Sequence, residues 1–134
     1  MYLSVDENLN LIILFIAGSF ALGSITFAYI ITKLFSGKDI RSVGSGNPGA
    51  TNVVRALNKK FGILVLLLDL LKGAVPVYFA VKFGFSTLLI HIVAVAAVLG
   101  HDYSPFLKFK GGKGVATSLG IFLVIPSPVF AVKI

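Results

Sequence analysis

LNLIILFIAGSFALGSITFAYIIT, residues 9–32, decides the fold class. These 24 residues carry no charge. As a helix rising about 1.5 Å per residue they reach roughly 36 Å, enough to cross about 30 Å of hydrocarbon with some tilt. The preceding MYLSVDEN is acidic, and no small-residue cleavage site follows the run, so it reads as a first transmembrane helix rather than a signal peptide. Ser19 and Gly23 stand four apart and share a face, which suits close helix packing in lipid. The hydroxyls of Ser24 and Thr26 can bond back to their own helix, or Ser24, near the polar end, can serve a site.

The rest of the chain repeats this pattern. Of 134 residues, 57% are hydrophobic and 13% charged. Soluble domains carry about 25% charge, so the composition is that of an integral membrane protein. A second apolar run, Phe61–Val81, is interrupted by Asp69, Lys72, Gly73 and Pro76; a third extends from Phe83 to Gly100. A fourth, Val115–Ile134, meets Pro126, Pro128 and Lys133, and the prolines are expected to bend or end it. The expected fold is therefore all-α and polytopic, with about four transmembrane helices in one domain. Ala96 and Gly100 again give a small-xxx-small spacing. His91, alone on an apolar face, reads as a structural residue hydrogen-bonded to a neighbouring helix. With no cysteine, and with His91 and His101 as the sole histidines, neither a metal nor another cofactor is expected.

The formal charge of +7 sits almost wholly in the connections. Lys33, Lys38, Arg41, Arg55, Lys59 and Lys60 surround the first, opposed by Asp39 alone; Lys108, Lys110 and Lys113 occupy the third, beside Asp102. The positive-inside rule puts both on the cytoplasmic face and the N-terminus outside. Nucleic acid is a poor partner for cations confined between membrane spans. Membrane lipids and an anionic small substrate remain. Asp69 and Lys72 lie inside a span, where ionisable groups are costly and face a bundle interior or a watery cavity. Three apart, they can pair along one face. The pair is either structural, or Asp69 stands behind a site and orients a substrate hydroxyl or a phosphate-binding base.

GSGNPG, Gly44–Gly49, fits G-x-G-x-x-G formally, but the dinucleotide fingerprint requires a preceding strand and here a membrane helix precedes it. What survives is the underlying physics. Glycines let backbone N–H groups converge on an anion, and Asn47, Thr51 and Asn52 add side-chain donors. Ala50–Leu57 is expected to open a short helix aimed at the same anion, with the planar guanidinium of Arg55 beside it. Gly111, Gly112, Lys113 and Gly114 form a second hook at the start of the fourth run. A flexible loop whose charges serve topology alone is the competing reading. It accounts for the lysines but not for the concentration of Gly, Asn and Thr. His101 is either a general base, with an ordinary pKa of about 6.5, or a cap on the third helix.

VGSGNPGATNVVRALNKKFG (43–62), LLLDLLKG (66–73) and LGHDYSPFLKFKGGKGVAT (99–117), with GSITFAY (23–29), resemble the bacterial membrane glycerol-3-phosphate acyltransferases that use acyl phosphate as donor, the PlsY family. The resemblance covers essentially the whole chain. It implies about seven transmembrane helices, an outward N-terminus and a cytoplasmic active site. Residues 1–134 would then be the N-terminal part of a single integral-membrane acyltransferase domain, as a fragment or a truncated homologue. It further implies transfer of a fatty acyl group from acyl phosphate to the sn-1 hydroxyl of glycerol 3-phosphate. The products are lysophosphatidic acid and phosphate, in phospholipid biosynthesis at the bacterial cell membrane. No acyl-CoA, acyl carrier protein or metal takes part, and a monomer is expected.

Carried over by residue, the family's phosphate-binding loop falls on Gly44, Ser45, Gly46, Asn47, Gly49, Ala50, Thr51 and Asn52. Ser24 matches the polar position of the first-helix motif, and Arg41 and Arg55 match basic positions associated with substrate phosphate. His101 with Gly111, Gly112 and Lys113 matches the second signature, and His101 and Asp69 are the catalytic candidates. Acyl phosphate is already activated, so the chemistry asks mainly for two anion pockets and an aligned hydroxyl. The hydroxyl proton could pass to His101, to a residue beyond this chain, or to a substrate phosphate oxygen. A transporter or channel for an anionic solute is the alternative, but its polar path would continue across the membrane. A structural membrane subunit without a site is the third reading.

Overall fold

The computed structural model describes residues 9–125, and its regular elements are all helical. They are α1 (Leu9–Ser24), α2 (Phe27–Ser36), α3 (Ala50–Ala56), α4 (Lys59–Lys82), α5 (Thr87–Asp102) and α6 (Val115–Val124), with 3-10 turns at Ile40–Ser42 and Pro105–Leu107. Three segments are long and apolar enough to cross a membrane: Leu9–Ser36, Lys59–Lys82 and Thr87–Leu107. α6, at 10 residues, is shorter than the span of about 17–25 that a bilayer needs. The remainder of the fourth apolar run, with the bend expected at Pro126 and Pro128, lies outside the described residues, as does the acidic N-terminal stretch.

The first span departs from the expected single helix. It breaks at Ile25 and Thr26, where Thr26 adopts φ −97° and ψ 89°, and resumes as α2. Neither residue is glycine or proline. The β-branched pair only weakly favours helix; tertiary partners complete the break. Ser104 Oγ donates to the Ser24 carbonyl at 2.6 Å, and Lys72 Nζ donates to the Ile25 carbonyl at 2.9 Å. A buried cation is a stronger donor than the helical amide it replaces. α4, by contrast, runs unbroken through Asp69, Lys72, Gly73 and Pro76. Its start is fixed by Asn58, whose side chain accepts from the Phe61 amide at 3.1 Å.

Small residues set the packing distances. Gly23 of α1 lies against the Ala97 backbone of α5, and Gly100 of α5 against the Phe20 backbone of α1, so a side chain at either glycine would strike main chain. Ser19, on the same face as Gly23, donates to the Val93 carbonyl at 2.8 Å. Gly73 and Gly120 bring α4 and α6 equally close. This is the small-residue packing that lipid favours, since lipid supplies no hydrophobic drive between helices. His91 is exposed, and its Nδ1 lies 2.7 Å from the Thr87 carbonyl one turn back. The expected bond to a neighbouring helix is thus replaced by one within α5.

Along α4 the interior is layered. Val77 and Ala80 join an apolar cluster with Ile12, Phe85, Val93 and Ala97, while Val65 joins a second with Ala28, Ile31, Ile40 and Val53. Between them stand the buried polar side chains of Asp69 and Lys72, joined by Ser24, His101 and Thr117.

Candidate active site

The first polar connection folds around Asn52. That side chain, 1% exposed, donates through Nδ2 to the carbonyls of Ile40 (3.2 Å) and Val43 (2.7 Å), drawing residues 40–52 into a strap. Within the strap the amide of Gly46 donates to Val43 (2.8 Å) and that of Gly49 to Asn47 (2.9 Å). Gly46 has φ +75°, and a Cβ there would run onto the Arg41 carbonyl oxygen, so glycine is required for the turn itself. Arg41 pairs with Asp39 at 2.6 Å and lies over the Tyr29 ring. The Arg41 guanidinium holds the Asp39 carboxyl below its ordinary range.

The second polar connection is tied back onto the end of α5. The amide of Gly111 donates to the Asp102 carbonyl (2.8 Å), and that of Gly112 to the His101 carbonyl (3.1 Å). Gly112 stands at the Nε2 edge of the imidazole, where a Cβ would meet Nε2. His101 is buried, and its Nδ1 has no hydrogen-bond partner among the described residues. Thr117, at the start of α6, donates to the Asp69 carbonyl at 3.0 Å and joins this hook to α4.

The two connections meet over a cavity of about 470 Å³. Asn47, Thr51 and Arg55 line it from the strap and α3, Lys113 from the second hook, His101 from α5 and Asp69 from α4. Leu66 and Leu119 supply an apolar side. The side chains are those of a site for a small anion carrying an apolar tail: two cations, neutral donors, and a buried carboxylate and imidazole. Behind the wall, Lys72 Nζ is 3.3 Å from Asp69 Oδ1. That contact is electrostatic rather than an aligned hydrogen bond, since the lysine directs its aligned bond at Ile25.

Both connections therefore belong to one end of the bundle. Single cysteines replacing Lys38 and Lys110, both exposed, are expected to label from the same side of intact vesicles. Labelling from opposite sides would exclude the shared end.

A family model for glycerol-3-phosphate acyltransferase matches residues 13–134. The chain belongs to that family. It is 57% identical over 111 residues to a glycerol-3-phosphate acyltransferase of Aquifex aeolicus, an alignment covering 81% of this chain and 57% of that protein. It is 51% identical over 110 residues to one of Dechloromonas aromatica, covering 82% of this chain and 56% of the relative. The chain thus spans a little over half the length of these relatives. Its fold is similar to the crystal structure of PlsY, an integral membrane glycerol 3-phosphate acyltransferase, in its glycerol 3-phosphate form. There the TM-score is 0.81 and the identity 50%, over 91% of this chain and 60% of that one. The lysophosphatidic acid form of PlsY gives a TM-score of 0.77 at 47% identity. The family assignment accords with an all-α, multi-pass membrane protein.

Of the positions that the acyltransferase family's motifs single out, the structure gathers Ser45, Asn47, Gly49, Ala50, Thr51, Asn52, Arg55, Asp69, His101 and Lys113 around the cavity. Six others do not line it. Ser24 is buried with its hydroxyl on the Phe20 carbonyl (2.7 Å), the local bond open to any helical serine. Arg41 is engaged by Asp39, and Gly44, Gly46, Gly111 and Gly112 shape the two segments from behind. Asn52 lines the cavity while its two amide protons face the strap, so only its Oδ1 is unengaged. Leu66, Val115, Ala116 and Leu119 are the lining residues that motif reading passed over. The signal for Leu66 was its position one turn before Asp69 on the same helix face.

Proposed function

We propose that this chain carries the anion-handling half of an acyl-phosphate-dependent glycerol-3-phosphate acyltransferase. The observation that carries this is the single cavity where Arg55 and Lys113 from separate connections meet His101 and Asp69. In the proposed reaction the sn-1 hydroxyl oxygen of glycerol 3-phosphate attacks the acyl carbonyl carbon of acyl phosphate. A C–O ester bond forms, the bond from that carbon to the bridging phosphate oxygen breaks, and inorganic phosphate leaves with the electron pair. The hydroxyl proton passes to a base in the cavity; that role is assigned to His101, whose imidazole lines it, with Asp69 orienting the hydroxyl.

Arg55, Lys113, Asn47 and Thr51 hold the two phosphates, and Leu66 and Leu119 accept the start of the acyl chain. No protein nucleophile is needed, because the leaving group is already phosphate. The cavity end faces the cytoplasm, in keeping with the lysines and arginines of both connections. The enzyme works as a monomer within the lipids of the bacterial cell membrane.

The test is release of inorganic phosphate from acyl phosphate by purified, membrane-inserted protein, with and without glycerol 3-phosphate. It should be run on this chain and on a full-family-length version. Release that depends on glycerol 3-phosphate, with lysophosphatidic acid formed in equal amount, is the expected result. Release indifferent to glycerol 3-phosphate in both proteins would sink the assignment.

A further inference from the structure

The segment YSPFLKFK, residues 103–110, folds into a knuckle directly after α5. Leu107, 1% exposed, plugs it into the bundle. The Ser104 carbonyl accepts the amides of both Leu107 (3.1 Å) and Phe109 (2.8 Å) while its hydroxyl is bonded to Ser24. The neighbours of Leu107 point the other way: Phe106 is 75% exposed, Phe109 63%, and Lys108 and Lys110 are exposed with them. Lys108 (φ 56°) and Phe109 (φ 63°) are the only non-glycine residues with positive φ among those described. Each incurs a steric cost that glycine would avoid, and the bonds from the Phe109 amide to Ser104 and from the Lys108 amide to the Pro105 carbonyl (3.2 Å) hold them there. The backbone is thus fixed in a conformation that turns two phenylalanines and two lysines outward around one buried leucine.

α5 and this turn belong to a segment apolar enough to cross a membrane, Thr87–Leu107, so the knuckle stands where that span meets water. We propose that it is a docking surface for anionic lipid head groups. Phe106 and Phe109 enter the boundary between head groups and acyl chains, and Lys108 and Lys110 pair with lipid phosphates. Charge complementarity selects this occupant. From Tyr103 to Gly114 every charged residue is a lysine, and no carboxylate lies among them. A soluble acidic partner could match the lysines but would leave two phenylalanines with nothing apolar to enter. A neutral lipid surface would take the rings and leave the lysines unmatched. The inference rests on the membrane fold alone and stands apart from the acyl-transfer chemistry.

The chain contains no tryptophan, so Phe109→Trp introduces a sole reporter, with Phe106→Trp as a second. Each full chain is reconstituted in phosphatidylcholine vesicles with and without phosphatidylglycerol, and helicity is checked by circular dichroism. The expected result is blue-shifted emission that loses roughly half its intensity to lipids brominated near the head group, with stronger quenching when phosphatidylglycerol is present. Lys108→Gln together with Lys110→Gln should abolish the phosphatidylglycerol dependence while leaving the basal quenching. A water-like, unquenched emission from both reporters would overturn the proposal. So would blue-shifted emission that no brominated lipid quenches, because a protein surface would then cover the rings. Equal quenching in the two lipid compositions would overturn the anionic selectivity.

Discussion

Lys72→Met is expected to destabilise the helix bundle by about 3–5 kcal/mol, the usual consequence of removing one member of a buried ion pair. Lys72 is 2% exposed, and its Nζ holds both the Ile25 carbonyl at 2.9 Å and Asp69 Oδ1 at 3.3 Å. Methionine keeps most of the volume but leaves a carboxylate and a main-chain carbonyl buried without partners. The carbonyl is at the break between α1 and α2, so the damage should reach the first span as well as α4. Asp69→Asn is a smaller loss, because the lysine retains Ile25. The double replacement should recover part of the Lys72→Met loss by removing the stranded charge. Detergent-extracted yield and unfolding midpoint report these differences. Asp69→Asn separates two roles when yield is measured beside turnover. If Asp69 serves only the lysine, both fall together; if it serves the cavity, the protein accumulates and turns over poorly. Accumulation and midpoints unchanged in Lys72→Met would show that the pin carries nothing.

The spans were legible because hydrophobic length alone distinguishes a membrane helix, and α4 and α5 fall close to the runs read from composition. The packing of α1 on α5 was legible at Ser19, Gly23 and Gly100, since small residues four apart mean close approach in lipid. The break at Ile25 was not. It depends on a lysine 47 positions away and a serine 80 positions from the carbonyl it bonds, and no local signal encodes either. The same long-range dependence governs the site. Sequence put Asn47, Arg55, His101 and Lys113 in two glycine-rich segments on one face, and that much follows from charge and topology. Which glycines face a ligand and which face protein does not follow. Gly46 and Gly112 are required by contacts with Arg41 and His101, residues whose proximity exists only after folding. Asn52 shows the ambiguity most sharply. A buried asparagine in a glycine-rich loop reads as an anion donor, yet both its amide protons close the strap.

Lys113→Ala and Asn47→Ala are expected to lower catalytic efficiency by about ten- to a hundredfold, while Lys59→Ala changes it little. Lys113 and Asn47 line the cavity from different connections, one as a cation and one as a neutral donor. A hydrogen bond to a charged group contributes roughly 1.5–3 kcal/mol, which sets that range. Lys59 begins α4 on the exposed surface and lines no part of the cavity, so its charge is solvated and contributes mainly to topology. The comparison of these three separates a local site from a general basic surface, on which any lost lysine would matter equally. It belongs in the full-family-length protein, with efficiencies measured separately for acyl phosphate and glycerol 3-phosphate. Asn47 and Lys113 can divide between the two substrates, so a loss confined to one would place each residue at a particular phosphate. If both variants insert normally and keep both efficiencies, the two connections share an end of the bundle but not a site. Their glycines would then serve only the close packing already evident around Arg41 and His101.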